Sequence, residues 1–218
     1  MLGGTYLQHI KYNMSIIDDL LSVLVRYGCP DCGVEGDLLC AACASKLPVA
    51  SNYSDKYPAL AAVRAVTNYS GVAEALVWQL KSSGAQAVAT IIAAQMLKQF
   101  KPSQDMLIVP VPTASGRVRH RGYDQARLLA RALARQAGLP YLDSLIRVGQ
   151  THQVGASREQ RLQQLQATFR VRRQQAIKAA SLLLVDDITT TGATLELAAN
   201  ALKVACAAQT EAIIFAQA

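Results

Sequence analysis

A chain of 218 residues, half of them apolar and 17% charged, can bury one α/β domain with a small appendage and is too hydrophobic to remain disordered. No apolar run approaches the ~20 residues that span a bilayer, and Ile16–Val25 is broken by Asp18 and Asp19 with no small-residue cleavage site; a cytoplasmic chain with no membrane span is expected. The net charge of +7 is uneven: residues 117–178 hold 13 of the 22 Lys and Arg residues against Asp124, Asp143 and Glu159, which points to an anionic ligand.

Residues 1–15 show no clear periodicity and are expected to form a loose, disordered tail. Met14 precedes Ser-Ile-Ile-Asp-Asp-Leu-Leu, a capped helix start, so order should begin near it. Residues 16–50 then read as a helix and a small cysteine module. Cys29-Pro-Asp-Cys32 and Cys40-Ala-Ala-Cys43 are two CxxC pairs separated by seven residues that include Gly33 and Gly36. Two such knuckles can aim four thiolates at one point, the closed tetrahedral shell of a structural Zn²⁺ site. A disulfide pair is the rival, and it fits an oxidising compartment that nothing else in the chain suggests.

Pro48, Pro58 and several Ser and Asn residues mark a linker, placed at 51–58, and a catalytic domain is expected over 59–218. Within it, Ala62–Tyr69 reads as a strand, Gly71–Lys81 and Ala85–Lys98 as helices, and Met106–Val109 as a buried strand. That strand runs into Val109-Pro-Val-Pro112 and then Arg117, Arg119, Arg121, Gly122 and Tyr123. Prolines stiffen the turn, and arginines at a strand's carboxyl end suit an anion. The helix from Asp124 buries Ala126, Leu129, Ala130, Leu133 and Ala134. Arg127, Arg131 and Arg135 form a stripe on another face, which either follows a nucleic-acid backbone or is merely solvated.

Residues 182–194 read Leu-Leu-Leu-Val-Asp-Asp-Ile-Thr-Thr-Thr-Gly-Ala-Thr. Leu182–Val185 suit a buried parallel strand, and Asp186 and Asp187 follow at its carboxyl end, where α/β sheets bind ligands. Thr190, Thr191, Gly192, Ala193 and Thr194 offer hydroxyls, successive N–H groups and a glycine at a helix start, which is a phosphate cradle. The helix should bury Leu195, Ala198, Ala199, Leu202 and Cys206, the last as a small core hydrophobe. Carboxylates beside a phosphate nest require sugar hydroxyls or a divalent cation, and a phosphorylated sugar with Mg²⁺ satisfies both.

The thirteen residues resemble the phosphoribosyl pyrophosphate (PRPP) motif of type I phosphoribosyltransferases. The double CxxC followed by Leu47-Pro48, Leu80-Lys81, the Val-Pro-Val-Pro turn with Arg121-Gly-Tyr-Asp-Gln-Ala126, and Leu145-Ile-Arg147 through Thr151, Gln153 and Arg161 to Phe169 narrow the resemblance to the ComF (competence protein F) family. It implies a mainly parallel sheet flanked by helices, with an N-terminal zinc ribbon. It also implies that Asp186 and Asp187 contact the ribose hydroxyls, and that Thr189 and the Thr190–Thr194 loop wrap the 5′-phosphate. Val111, Pro112, Arg117, Arg119 and Arg121, with Lys81, would serve the pyrophosphate; residues 147–169, with Arg147, Gln153 and Arg161, correspond to a flexible loop over the substrate. Asp124 and Leu165 depart from the family, where Asn is common at those places. Thr190 stands where some relatives carry an acidic base.

The implied activity is transfer of phosphoribosyl from PRPP to an acceptor the sequence does not identify, in DNA uptake, with single-stranded DNA and a competence helicase as partners and a homodimer as the common assembly. A non-catalytic nucleic-acid-binding module and a PRPP sensor are the alternatives.

Overall fold

A computed structural model describes residues 28–48, 57–82, 85–148 and 168–218. The expected tail, the first helix, most of the linker and the loop positions Thr151, Gln153, Arg161 and Leu165 lie outside the described residues.

Four parallel strands, β1 (Ala62–Asn68), β2 (Met106–Pro110), β5 (Ser181–Thr189) and β6 (Gln209–Gln217), form one sheet in the order β1-β6-β5-β2. The strand residues alternate between two helical layers, as a doubly covered sheet requires. Leu183, Val185, Ile213 and Phe215 share a core with α2 (Val72–Lys81), α3 (Ala85–Gln99) and α5 (Gln125–Ala137). Leu182, Leu184, Ala212 and Ile214 face α6 (Gln174–Ile177) and α7 (Ala193–Val204). A two-stranded antiparallel sheet, β3 (Leu145–Arg147) with β4 (Phe169–Val171), stands apart and forms the base of the segment read as the closing loop.

Connectivity makes one crevice special. After β2 the chain passes through α4 (Ser115–Arg121) and α5 and returns on the outer side of β2, where Tyr141 bridges Ile108 in parallel. After β5 it passes through α7 to β6 on the opposite side. The two connections diverge, so the carboxyl ends of β2 and β5 leave a gap that no crossover covers. The β2–β5 pairing ends at Pro110 opposite Val185, whereas β5–β6 continues to Thr189 opposite Gln217. Asp186 and Asp187 therefore lie within the strand. The expected strand end at Val185 is corrected: it is the end of pairing with β2, not of β5.

The last helix also ends earlier than expected. Cys206 was assigned to its buried face, but α7 stops at Val204 and Cys206 is exposed with φ +65°. The helical period was extended past its true end, where Cys206 N–H closes the last turn on Lys203 O. Within the α/β domain, the short elements α4, β3, β4 and α6 and the long strand β6 were not anticipated. The apolar run Ala212–Ala216 was the available signal for β6.

The cysteine module packs on the α2/α3 layer through Cys29, Cys43, Leu38, Leu39 and Leu47. A bridge between Gly28 and Glu35 and the short helix α1 (Ala41–Ala44), capped by Cys40, form its two knuckles. No helix among the described residues is long and apolar enough to cross a membrane.

Candidate functional site

The crevice between β2 and β5 is a cavity of about 290 Å³ lined by Lys81, Val111–Ala114, Arg117, Gln125, Arg147 and the run Asp186–Leu195. Four stretches far apart in sequence, at 81, 111–125, 147 and 186–195, converge there. Of the residues singled out from sequence, Lys81, Val111, Pro112, Arg117, Arg147, Asp186, Asp187 and Thr189–Thr194 are brought together. Arg119 is exposed and lies outside the lining, and Arg121 reaches it only indirectly, its Nη1 donating to Gln125 Oε1 at 3.0 Å. Gln125 was not singled out; its place as the first residue of α5, after the arginine-rich turn, was the available signal.

Lys81 ends α2 and sends Nζ to within 2.9 Å of Asp187 Oδ2, whose side chain is 3% exposed. The pair spans more than a hundred residues of sequence and sets a cation beside the acidic pair. Asp186 accepts a 2.9 Å hydrogen bond from the Asp187 N–H. Its carboxyl is nonetheless pushed well above the ordinary range, first by desolvation and then by the neighbouring Asp187 charge. The folded state thus holds this proton more tightly than the unfolded chain, so its stabilising contribution is full below the ordinary carboxylate pKa of about 3.9 and is lost as pH rises through the raised value. At neutral pH an ionised Asp186 is a liability that a hydroxyl or cation would relieve. Asp186→Asn should therefore raise the melting temperature at pH 7 and lose that advantage near pH 3, as thermal scans at the two pH values would show.

The opposite wall is the start of α7. Gly192 is its N-cap, in the left-handed region at φ +75°, and supplies no side-chain cap to the first turn. Thr191 Oγ1 accepts from Ala193 N–H at 3.4 Å. An uncapped helix start with a loop of hydroxyls in front of it has donors and a positive dipole end for an anion.

The turn after β2 is fixed by Asp124. Its carboxylate accepts from Thr113 N–H (3.1 Å), Thr113 Oγ1 (3.0 Å) and the Ala126 N–H (3.1 Å) that opens α5. Asp124 is 6% exposed, so its departure from Asn concerns the shape of this turn and not a contact with ligand.

The arginine stripe is engaged within the molecule. Arg127 pairs with Asp143 at 3.3 Å and approaches Asp124, Arg131 lies over the Tyr141 ring, and Arg135 donates to Thr90 Oγ1 at 3.3 Å.

In the N-terminal module the sulfurs of Cys29, Cys32, Cys40 and Cys43 all lie within 4.8 Å of one another, and Cys32 and Cys40 Sγ are 3.6 Å apart. Four sulfurs about 2.3 Å from a tetrahedral Zn²⁺ have edges of ~3.8 Å, so the cluster fits such an ion, and all four are free thiols. Burial raises the Cys29 thiol, but N–H groups of Cys40, Cys32 and Asp31 overcome it and bring it down to about 6. Cys43 is pushed up, mainly because its S–H donates to Asp31 Oδ2 at 3.2 Å.

No family model matches the chain. Over 142 residues it is 29% identical to Competence protein ComFC of Bacillus subtilis (strain 168), covering 64% of this chain and 57% of that protein. Over 91 residues it is 38% identical to Competence protein F of Haemophilus influenzae, covering 40% of each. The matched segments thus span about half the length of these relatives or less. Among solved structures it is similar to the allosteric regulatory enzyme of purine biosynthesis (19% identity, TM-score 0.43, 59% of this chain and 25% of that one). It is similar also to the glutamine PRPP amidotransferase from B. subtilis complexed with ADP and GMP (19%, TM-score 0.45, 59% and 26%).

Proposed function

We propose that this chain, a homologue of the ComF-family competence proteins, binds PRPP in the β2–β5 crevice and transfers its phosphoribosyl group to an acceptor, in a process linked to DNA uptake. One observation carries the reading. A single crevice at the sheet's switch point holds an acidic pair for sugar hydroxyls, an uncapped Thr-Gly helix start for a phosphate, and Lys81, Arg117 and Arg147 for a second, more highly charged group.

In this reading Asp186 and Asp187 accept from the ribose hydroxyls and Thr190–Thr194 hold the 5′-phosphate. Departure of pyrophosphate from C1 leaves an oxocarbenium-like centre, and Arg117, Arg147 and Lys81 offset the charge on the leaving group. The carboxylates fit a divalent cation only in part, since Lys81 already occupies one Asp187 oxygen; Mg²⁺ would be held chiefly by pyrophosphate and would neutralise it. The described cleft residues include no histidine and no acid besides the Asp pair. That favours, as a second reading, a module that senses PRPP without consuming it.

Calorimetric titration of PRPP with Mg²⁺ into zinc-replete protein tests binding, and pyrophosphate release separates the two readings. Saturable binding with release supports the transferase, saturable binding without release the sensor, and no binding removes both.

The cysteine cluster is proposed as a structural zinc site with no open position for catalysis. Elemental analysis should find one zinc per chain, and Cys43→Ser should lose it. Chelation should lower the melting temperature, because Cys29 and Cys43 belong to the core beneath α2 and α3.

A further inference from the structure

The segment that joins the cysteine module to the α/β domain enters the described structure at Tyr57, where a linker was expected. Tyr57 is instead 6% exposed and packs in the α7 layer with Leu60 and Leu195. Its ring lies against Gly192 so closely that a Cβ at position 192 would fall among Cε1, Cζ and Oη of the ring. Two residues on, Ala59 N–H donates to Glu196 Oε1 at 3.1 Å, in the first turn of α7. The segment thus grips the start of α7 twice, once at the glycine that turns the loop and once at the first-turn acid.

We infer that Tyr57 is a positioning residue for the phosphate loop: its ring occupies the space beside Gly192 and holds residues 190–194 in the conformation that presents their N–H groups to the 5′-phosphate of the sugar. The inference rests on the PRPP reading for the identity of the anion. Gly192 sits at φ +75°, a conformation glycine shares with several alternatives of similar energy, so the loop does not hold it unaided. A packed ring on one side removes those alternatives before the ligand arrives, and a loop that is already ordered loses less on binding. The position also explains why a glycine is required at 192 beyond its backbone angle, because any side chain would displace the ring.

The test uses the 218-residue, zinc-replete protein as wild type, Tyr57→Ala and Tyr57→Phe. Hydrogen exchange at the Glu196 amide, which donates to Gly192 O at 3.0 Å and so reports on the placement of that glycine, is compared with that of β5, alongside titrations with ribose 5-phosphate and with magnesium pyrophosphate. In Tyr57→Ala, exchange at Glu196 should quicken about tenfold while β5 is unchanged. Affinity for ribose 5-phosphate should fall about tenfold and magnesium pyrophosphate should bind as before, since Val111–Arg117 is untouched. Tyr57→Phe, which keeps the ring, should restore both the protection and the ribose 5-phosphate affinity. Unchanged exchange at Glu196 in Tyr57→Ala overturns the inference. So does an equal loss of both ligands, which would mark Tyr57 as a general prop of the fold. If wild type binds neither ligand, the PRPP reading fails by itself, and the exchange comparison still decides whether Tyr57 holds the loop.

Discussion

Replacing both Asp186 and Asp187 by Asn should weaken PRPP binding about 100-fold or more, to below detection in a calorimetric titration that shows saturable binding for wild type. In the proposed function each carboxylate accepts from a sugar hydroxyl, and a hydrogen bond to a charged acceptor contributes about 1.5–3 kcal/mol. An Asn at 187 also removes the 2.9 Å partner of Lys81 and leaves that cation beside the neutral amides. The fold should survive, because β5 pairs through its backbone with β6 on both sides of the acidic pair. Circular dichroism and thermal scans of the variant check this. A variant that folds and binds PRPP as wild type does would remove the crevice from the proposed function. The single Asp186→Asn variant sharpens the reading, since it should be more stable than wild type at neutral pH while binding less ligand, the usual opposition between stability and a strained site.

Gly192→Val should combine a large loss of ligand with a loss of stability. A residue other than glycine in the left-handed region costs about 1–2 kcal/mol, and a β-branched one fits it worst. The new side chain would also meet the Tyr57 ring, and overpacking a filled site costs roughly 1–3 kcal/mol more. Denaturant unfolding should therefore show a deficit of about 3 kcal/mol, with PRPP binding lost. Gly116→Ala is the control for stability, because nothing lies within 4 Å of a Cβ there and its backbone is not left-handed.

The sequence by itself determined the local chemistry. A buried hydrophobic run followed by two acids and a Thr-Gly loop has few other physical uses, and Leu182–Thr194 folds as a strand, a loop and a helix start. The CxxC spacing brought four sulfurs together for a similar reason, since each knuckle is a short-range turn. Helical and strand periodicity placed β1, α2, α3, β2 and α5 to within a residue or two, because their apolar faces repeat with the geometry of the element. Periodicity failed where an element ended, as at Cys206, since the end is set by capping contacts that a repeat does not encode.

Only the tertiary structure decided which polar groups meet. Lys81 pairs with Asp187 because α2 ends above the tip of β5. Arg127, read as part of a stripe that either follows a nucleic-acid backbone or is solvated, is held by Asp143, which lies beyond the end of its own helix. Arg119 and Arg121 share a run with Arg117, yet α4 turns only Arg117 into the crevice. Tyr57 lies 135 residues before Gly192 and no spacing rule connects them; the contact exists because both pack in the α7 layer. Pairings of this kind follow from the order of strands in the sheet and the divergence of the chain after β2 and β5. That topology is a global property, selected by burying both faces of the sheet at once, and no window of sequence contains it.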